Sequence, residues 1–147
     1  MRRAGFVVAA ATALTLGAAG TGRADTTATA EVTASWGDRV RLQYSWTDRQ
    51  TITGGTLRVT DATCDDRAVY ASLTVTTGAG RTVPLGDRHN TGGCGTTAEF
   101  PDVTVSDPSG VLRMTLRICH PAPGGATATC ETRYIGANPY RPDALRF

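Results

Sequence analysis

Val40-Arg41-Leu42-Gln43-Tyr44-Ser45-Trp46 is the stretch that decides the fold. Apolar side chains occupy 40, 42, 44 and 46, with polar ones between. That period of two sets one face of a β-strand on a core and the other in water. Leu42, Tyr44 and Trp46 are large, so this strand should anchor the core.

The same alternation extends outward in both directions. Ala28, Ala30, Val32, Ala34 and Trp36 alternate with Thr29, Glu31, Thr33 and Ser35, giving a first strand with small inward residues, and Gly37 and Asp38 turn the chain. Residues 47–55 are polar and close on Gly54-Gly55, so they read as a loop, with Ile52 packing down. Leu57 and Val59 mark a third strand, and Val69, Ala71, Leu73 and Val75 a fourth. Residues 77–81 read as a tight hairpin connection, because glycine tolerates the positive φ such turns demand. Pro84 assigns a short fifth strand, 82–85, to a sheet edge, and the Gly-rich 86–95 follows as the longest central loop. A sixth strand, 96–105, should bulge near Pro101. Asp107-Pro108-Ser109-Gly110 fits a type I turn. Leu112, Met114, Leu116 and Ile118 then face inward from a seventh strand, with Arg113, Thr115 and Arg117 outward, and 126–135 forms an eighth. Eight short strands without a convincing amphipathic helix predict an all-β domain. The expected architecture is a two-sheet antiparallel β-sandwich of immunoglobulin-like type; a small closed β-barrel would bury the same positions.

Residues 1–24 have the pattern of a secretory signal peptide: Arg2 and Arg3, an apolar run from Phe6 to Gly20, then the small residues of Gly22-Arg23-Ala24. The run is too short and too rich in Gly and Ala to span a bilayer, so no membrane association is expected after signal removal. Taking 24 of the 147 residues away leaves 123, the size of one domain. The expected organisation is a signal at 1–24, a single sandwich domain at 25–135 and a weakly ordered tail at 136–147. Removing three arginines from fifteen leaves twelve basic side chains against thirteen acidic ones. The basic balance of the full chain thus comes mainly from the signal, and a nucleic-acid partner loses its electrostatic footprint.

Cys64, Cys94, Cys119 and Cys130 form an even set in a small chain read as exported, which argues for two disulfides and a secreted, extracellular location. Three pairings are possible. The most local one, Cys64 with Cys94 and Cys119 with Cys130, is expected. Structural zinc would need close pairs such as C-x-x-C, which are absent from the sequence.

No G-x-S-x-G, H-E-x-x-H or phosphate-cradling loop occurs, and no nucleophilic Cys is flanked by a partner His, so no catalytic residue, metal or cofactor is assigned. Asp87 with His89 is the nearest catalytic constellation, and two such residues on a surface loop ordinarily bond locally. Asp61, Asp65 and Asp66 lack the spacing of a dedicated calcium loop and read as a solvated acidic turn. Trp36 and Tyr70 are the aromatics best placed to stack on a sugar, while Arg113 and Arg117 solubilise a sheet face. The sequence therefore favours a non-catalytic binding or interaction module with an extracellular protein or glycan as partner. A carbohydrate-binding module, a small hydrolase and a protease inhibitor are the alternatives.

Chain direction adds a location. When successive strands run alternately up and down, the connections after strands one, three, five and seven emerge at one end. That end would gather both histidines, most of the loop acids and at least three of the cysteines. The candidate binding residues are Trp36, Asp65, Asp66, Arg88, His89 and His120.

Overall fold

The computed structural model describes residues 25–122 and 127–141, with the backbone alone at 133–135. The segment read as a signal peptide and residues 142–147 lie outside the described residues. Among the described residues eight strands occur in chain order: β1 (Thr26–Thr33), β2 (Arg39–Trp46), β3 (Thr51–Thr60), β4 (Tyr70–Thr77), β5 (Thr82–His89), β6 (Thr97–Ser106), β7 (Val111–His120) and β8 (Thr129–Ala137). They form two four-stranded sheets, ordered β1-β2-β3-β6 and β5-β4-β7-β8, and every pairing is antiparallel. The architecture is a β-sandwich and not a closed barrel. Its strand order has its own character: β2 sits beside β3, whereas the second strand of an immunoglobulin constant domain neighbours the fifth.

The inner faces carry the alternation seen in the sequence. Leu42, Tyr44 and Trp46 of β2, Leu57 and Val59 of β3, Leu73 and Val75 of β4, and Leu112, Met114 and Leu116 of β7 are all buried. Small residues on β1, Ala30 and Val32, complete one sheet's contribution. Tyr44 and Trp46 meet edge to face at 5.8 Å, an arrangement that adds to what their burial already contributes.

Three segments depart from the sequence expectation. Residues 47–55 are not one long loop, because β3 begins at Thr51 and Ile52 is a fully buried strand residue. Gly54 and Gly55 lie within the strand where its register against β2 and β6 shifts. Gly54 has φ +62°, and a Cβ on Gly55 would sit 2.6 Å from that of Val103. The glycine pair thus marks a bulge and a close backbone approach instead of a loop. Likewise β5 continues through 86–89, with its own irregularity opposite Ser72 and Thr74, so Arg88 and His89 belong to an edge strand instead of a loop. Finally β8 runs past Ile135: Gly136 and Ala137 pair with Met114 and Arg113, and Asn138 is buried. The expected bulge in β6 is present, with Asp102 at φ +62°.

Cys64 is joined to Cys94 and Cys119 to Cys130. The second bridge links directly opposed residues of adjacent strands, while the first joins two loops.

Candidate functional site

The ends of the sandwich differ in construction. At one end the connections are tight turns stitched together through the backbone: Asp107 N–H donates to Gln50 O (3.1 Å), Val111 N–H to Arg49 O (3.0 Å) and Gly78 N–H to Gly110 O (2.7 Å). Asn138 locks this end, its Nδ2 donating to Asp48 O and Val111 O. At the other end emerge the connections after β1, β3, β5 and β7, joined through side chains as well as backbone.

Asp38, 2% exposed, ties the first of these connections to the second. Its Oδ1 accepts from the amides of Ala62 (2.8 Å) and Thr63 (3.0 Å), and its Oδ2 from Trp36 Nε1–H (2.9 Å). The Trp36 ring packs partly against the core and meets the His120 ring edge to face at 4.5 Å. Ser35, also between β1 and β2, donates from its amide and hydroxyl to Glu131 of β8.

Asn90 organises the β5–β6 connection. It is 1% exposed, donates from Nδ2 to Val59 O (3.0 Å) and Thr96 O (2.9 Å), and accepts at Oδ1 from Gly92 N–H (2.9 Å) and Thr96 Oγ1–H (3.1 Å). Asp61 N–H donates to Thr96 O (3.0 Å) and Gly95 N–H to Asp61 O (2.7 Å). Together with Cys64–Cys94, these bonds clamp the β3–β4 and β5–β6 connections into one body.

Between those two connections lies a cleft of about 270 Å³, lined by Asp61, Thr63, Asp66, Arg67, Asn90 and Thr91 and floored in part by the disulfide. Asp61 is only 3% exposed, and its Oδ1 has no hydrogen-bond partner among the described residues. Burial raises its pKa above the ordinary 3.8, and the nearby Asp38 and Asp65 carboxylates raise it further, against a smaller opposing effect of the Thr63 amide. Asp65 accepts the Arg67 amide in a local turn (3.1 Å) and holds the Arg67 guanidinium at 3.8 Å. Asp66 is exposed and takes φ +59°.

The structure sorts the six candidate residues into three kinds. Asp65 and Asp66 are exposed beside the cleft. Arg88 and His89 end the edge strand β5, with His89 stacked on its cross-strand neighbour Tyr70 at 4.6 Å and 24°. Trp36 and His120 meet edge to face, with His120 buried and Trp36 half-buried. Sequence reasoning gave no weight to Asp38 and Asn90, nor to the burial of Asp61. Among the described residues no three His, Cys, Asp or Glu side chains converge as a metal site.

These features define a disulfide-stapled, two-sheet β-sandwich domain with a crosslinked, acid-bearing loop end. Comparison with known protein families, with curated proteins and with solved structures gave no match.

Proposed function

We propose that this protein is a secreted, non-catalytic binding module that meets an extracellular partner with its loop end. The observation that carries this is the clamp of Cys64–Cys94, Asp38 and Asn90 on the connections after β1, β3 and β5. A surface restrained before contact loses less conformational entropy on binding. Two disulfides suit an oxidising compartment, and among the described residues no helix is long and apolar enough to cross a membrane.

The test immobilises the oxidised protein and exposes it to the culture supernatant and cell-envelope fraction of its host. Wild type is compared with two triple variants of exposed residues, Asp65→Ala/Asp66→Ala/Arg67→Ala at the loop end and Arg49→Ala/Gln50→Ala/Ser109→Ala at the other. One retained partner should be lost from the first variant and kept by the second. The opposite pattern, or a turnover activity towards the partner, overturns the proposal. Sedimentation with insoluble glycans instead of a protein would redirect it to the carbohydrate-binding alternative.

A further inference from the structure

Asp61 stands out among the acids of the loop end because it is enclosed and incompletely bonded. An ionised carboxylate only accepts hydrogen bonds, and buried polar atoms in folded proteins nearly always find partners. The Asp61 backbone is fixed on both sides, through Thr96 O and Gly95 N–H, so its side chain is held at the cleft by the fold. Its Oδ1 is nevertheless unpaired among the described residues. The cleft wall adds Asp66, while the lining cation Arg67 is engaged by Asp65. The acidic character of the cleft is therefore not cancelled from within.

Size and donor set narrow the occupant. A space of about 270 Å³ lies just under the roughly 300–1,000 Å³ of pockets that enclose drug-sized ligands, and it suits a single side chain. A calcium ion takes about six to eight oxygens, and no such convergence of His, Cys, Asp or Glu exists among the described residues. Organic cations need less: a guanidinium or ammonium group places N–H donors on one carboxylate, and neutral acceptors and hydroxyls complete its shell. The Thr63 and Thr91 hydroxyls supply such oxygens around the cleft.

We propose that this cleft, between the β3–β4 and β5–β6 connections, is a receptor site for one cationic side chain of a partner polypeptide, an arginine or lysine, with Asp61 as its counter-ion. This rests on the loop end being the interface. It names the chemistry the partner must present, a basic residue projecting from an exposed segment, and the disulfide beside the cleft keeps the receptor shaped before the partner arrives.

Amide chemical shifts of the oxidised protein, followed by NMR during titration with Nα-acetyl-arginine methylamide, test this directly. The lysine analogue, the neutral norleucine analogue and calcium chloride serve as separate arms. Saturable shifts confined to residues 61–68 and 90–95 are expected with the arginine or lysine probe and not with norleucine. Asp61→Asn, which keeps the side-chain shape, should weaken binding by roughly tenfold or more, as loss of a charge-assisted bond does. Should that variant lose its native spectrum, wild type is titrated instead at about pH 7 and about pH 4. Affinity unchanged between the two would overturn the assignment. So would equal shifts with norleucine, shifts with calcium alone, or full affinity in Asp61→Asn. A protein that fails these probes while still binding its partner through the loop end refutes the cation site alone. A partner held at the opposite end refutes the interface itself.

Discussion

Replacing Asn90 by alanine removes the side chain that holds the β5–β6 connection on the sandwich. Four hydrogen bonds disappear: two donated to Val59 O and Thr96 O, and two accepted from Gly92 N–H and Thr96 Oγ1–H. Each is worth about 1 kcal/mol net. Gly92 is exposed and Thr96 half-buried, so water recovers part of what the carbonyl oxygen supplied. The expected loss is about 2 to 4 kcal/mol, a large share of the roughly 5 to 15 kcal/mol that holds a domain together. Urea unfolding should show the midpoint falling by about 1 to 2 M with an unchanged slope. Asn90→Asp provides the sharper comparison, because it turns the donor into an acceptor facing two carbonyl oxygens. That variant should be worse than alanine at neutral pH and recover on acidification, since a protonated carboxyl again donates to one of them. The sign follows from linkage: a carboxyl whose proton is favoured in the folded state binds more protons folded than unfolded, so stability falls as pH rises through its folded pKa. A loss below about 1 kcal/mol for Asn90→Ala, matching a Thr91→Ala control at an exposed position, would refute the role given to this side chain. Equal behaviour of the Ala and Asp variants at all pH values would refute the donor assignment.

Leu116→Ala in the centre of β7 should cost about 2 to 5 kcal/mol, and Arg117→Ala, on an exposed side chain next to it, within about 0.5 kcal/mol; chemical denaturation that finds the two alike would show the faces of β7 to be misassigned. Removing the Cys64–Cys94 bridge as the double serine variant releases a connection of 30 residues, for which chain entropy gives an upper figure of about 3.7 kcal/mol; calorimetry should show a lower Tm, and an unchanged one would contradict the clamp. Because the Asp61 pKa is raised chiefly by burial, then by Asp38 and Asp65, its contribution to stability is complete below the ordinary 3.8 and is lost as pH rises through the folded value. Asp61→Asn should accordingly be as stable as wild type or more so at neutral pH and show a flatter profile across that window; a variant that loses stability relative to wild type as pH rises through it would reverse the sign.

What could be read in advance follows from how each feature writes itself into the chain. Inward side chains recur every second residue, so β2, β4 and β7 and their buried residues are visible as Leu42, Tyr44 and Trp46, Leu73 and Val75, Met114 and Leu116. Loop parity likewise indicates which connections share an end. Glycine mislead in two places, since Gly54-Gly55 and Gly86 have the composition of turns but occupy irregular strand positions. Local sequence cannot distinguish these, because what makes them strand is the partner strand alongside. Asn90, Asp38 and Asn138 were illegible for another reason: each is a polar residue in a segment of polar residues. Its burial depends on carbonyl and amide groups that the fold brings from elsewhere in the chain. Asp65 and Asp66 drew notice as an acidic pair, whereas the chemically unusual acid is Asp61, enclosed by a connection 30 residues further on.

Site-specific photo-crosslinking tests the central claim, that the loop end is the face turned to a partner. A photoreactive amino acid placed at Asp66, exposed on the loop end, is compared with one at Ser109, exposed on the opposite end, both in oxidised protein produced in its host. A discrete crosslinked product from position 66 and none from position 109 is the result expected. A product from position 109 with none from position 66 would contradict the claim.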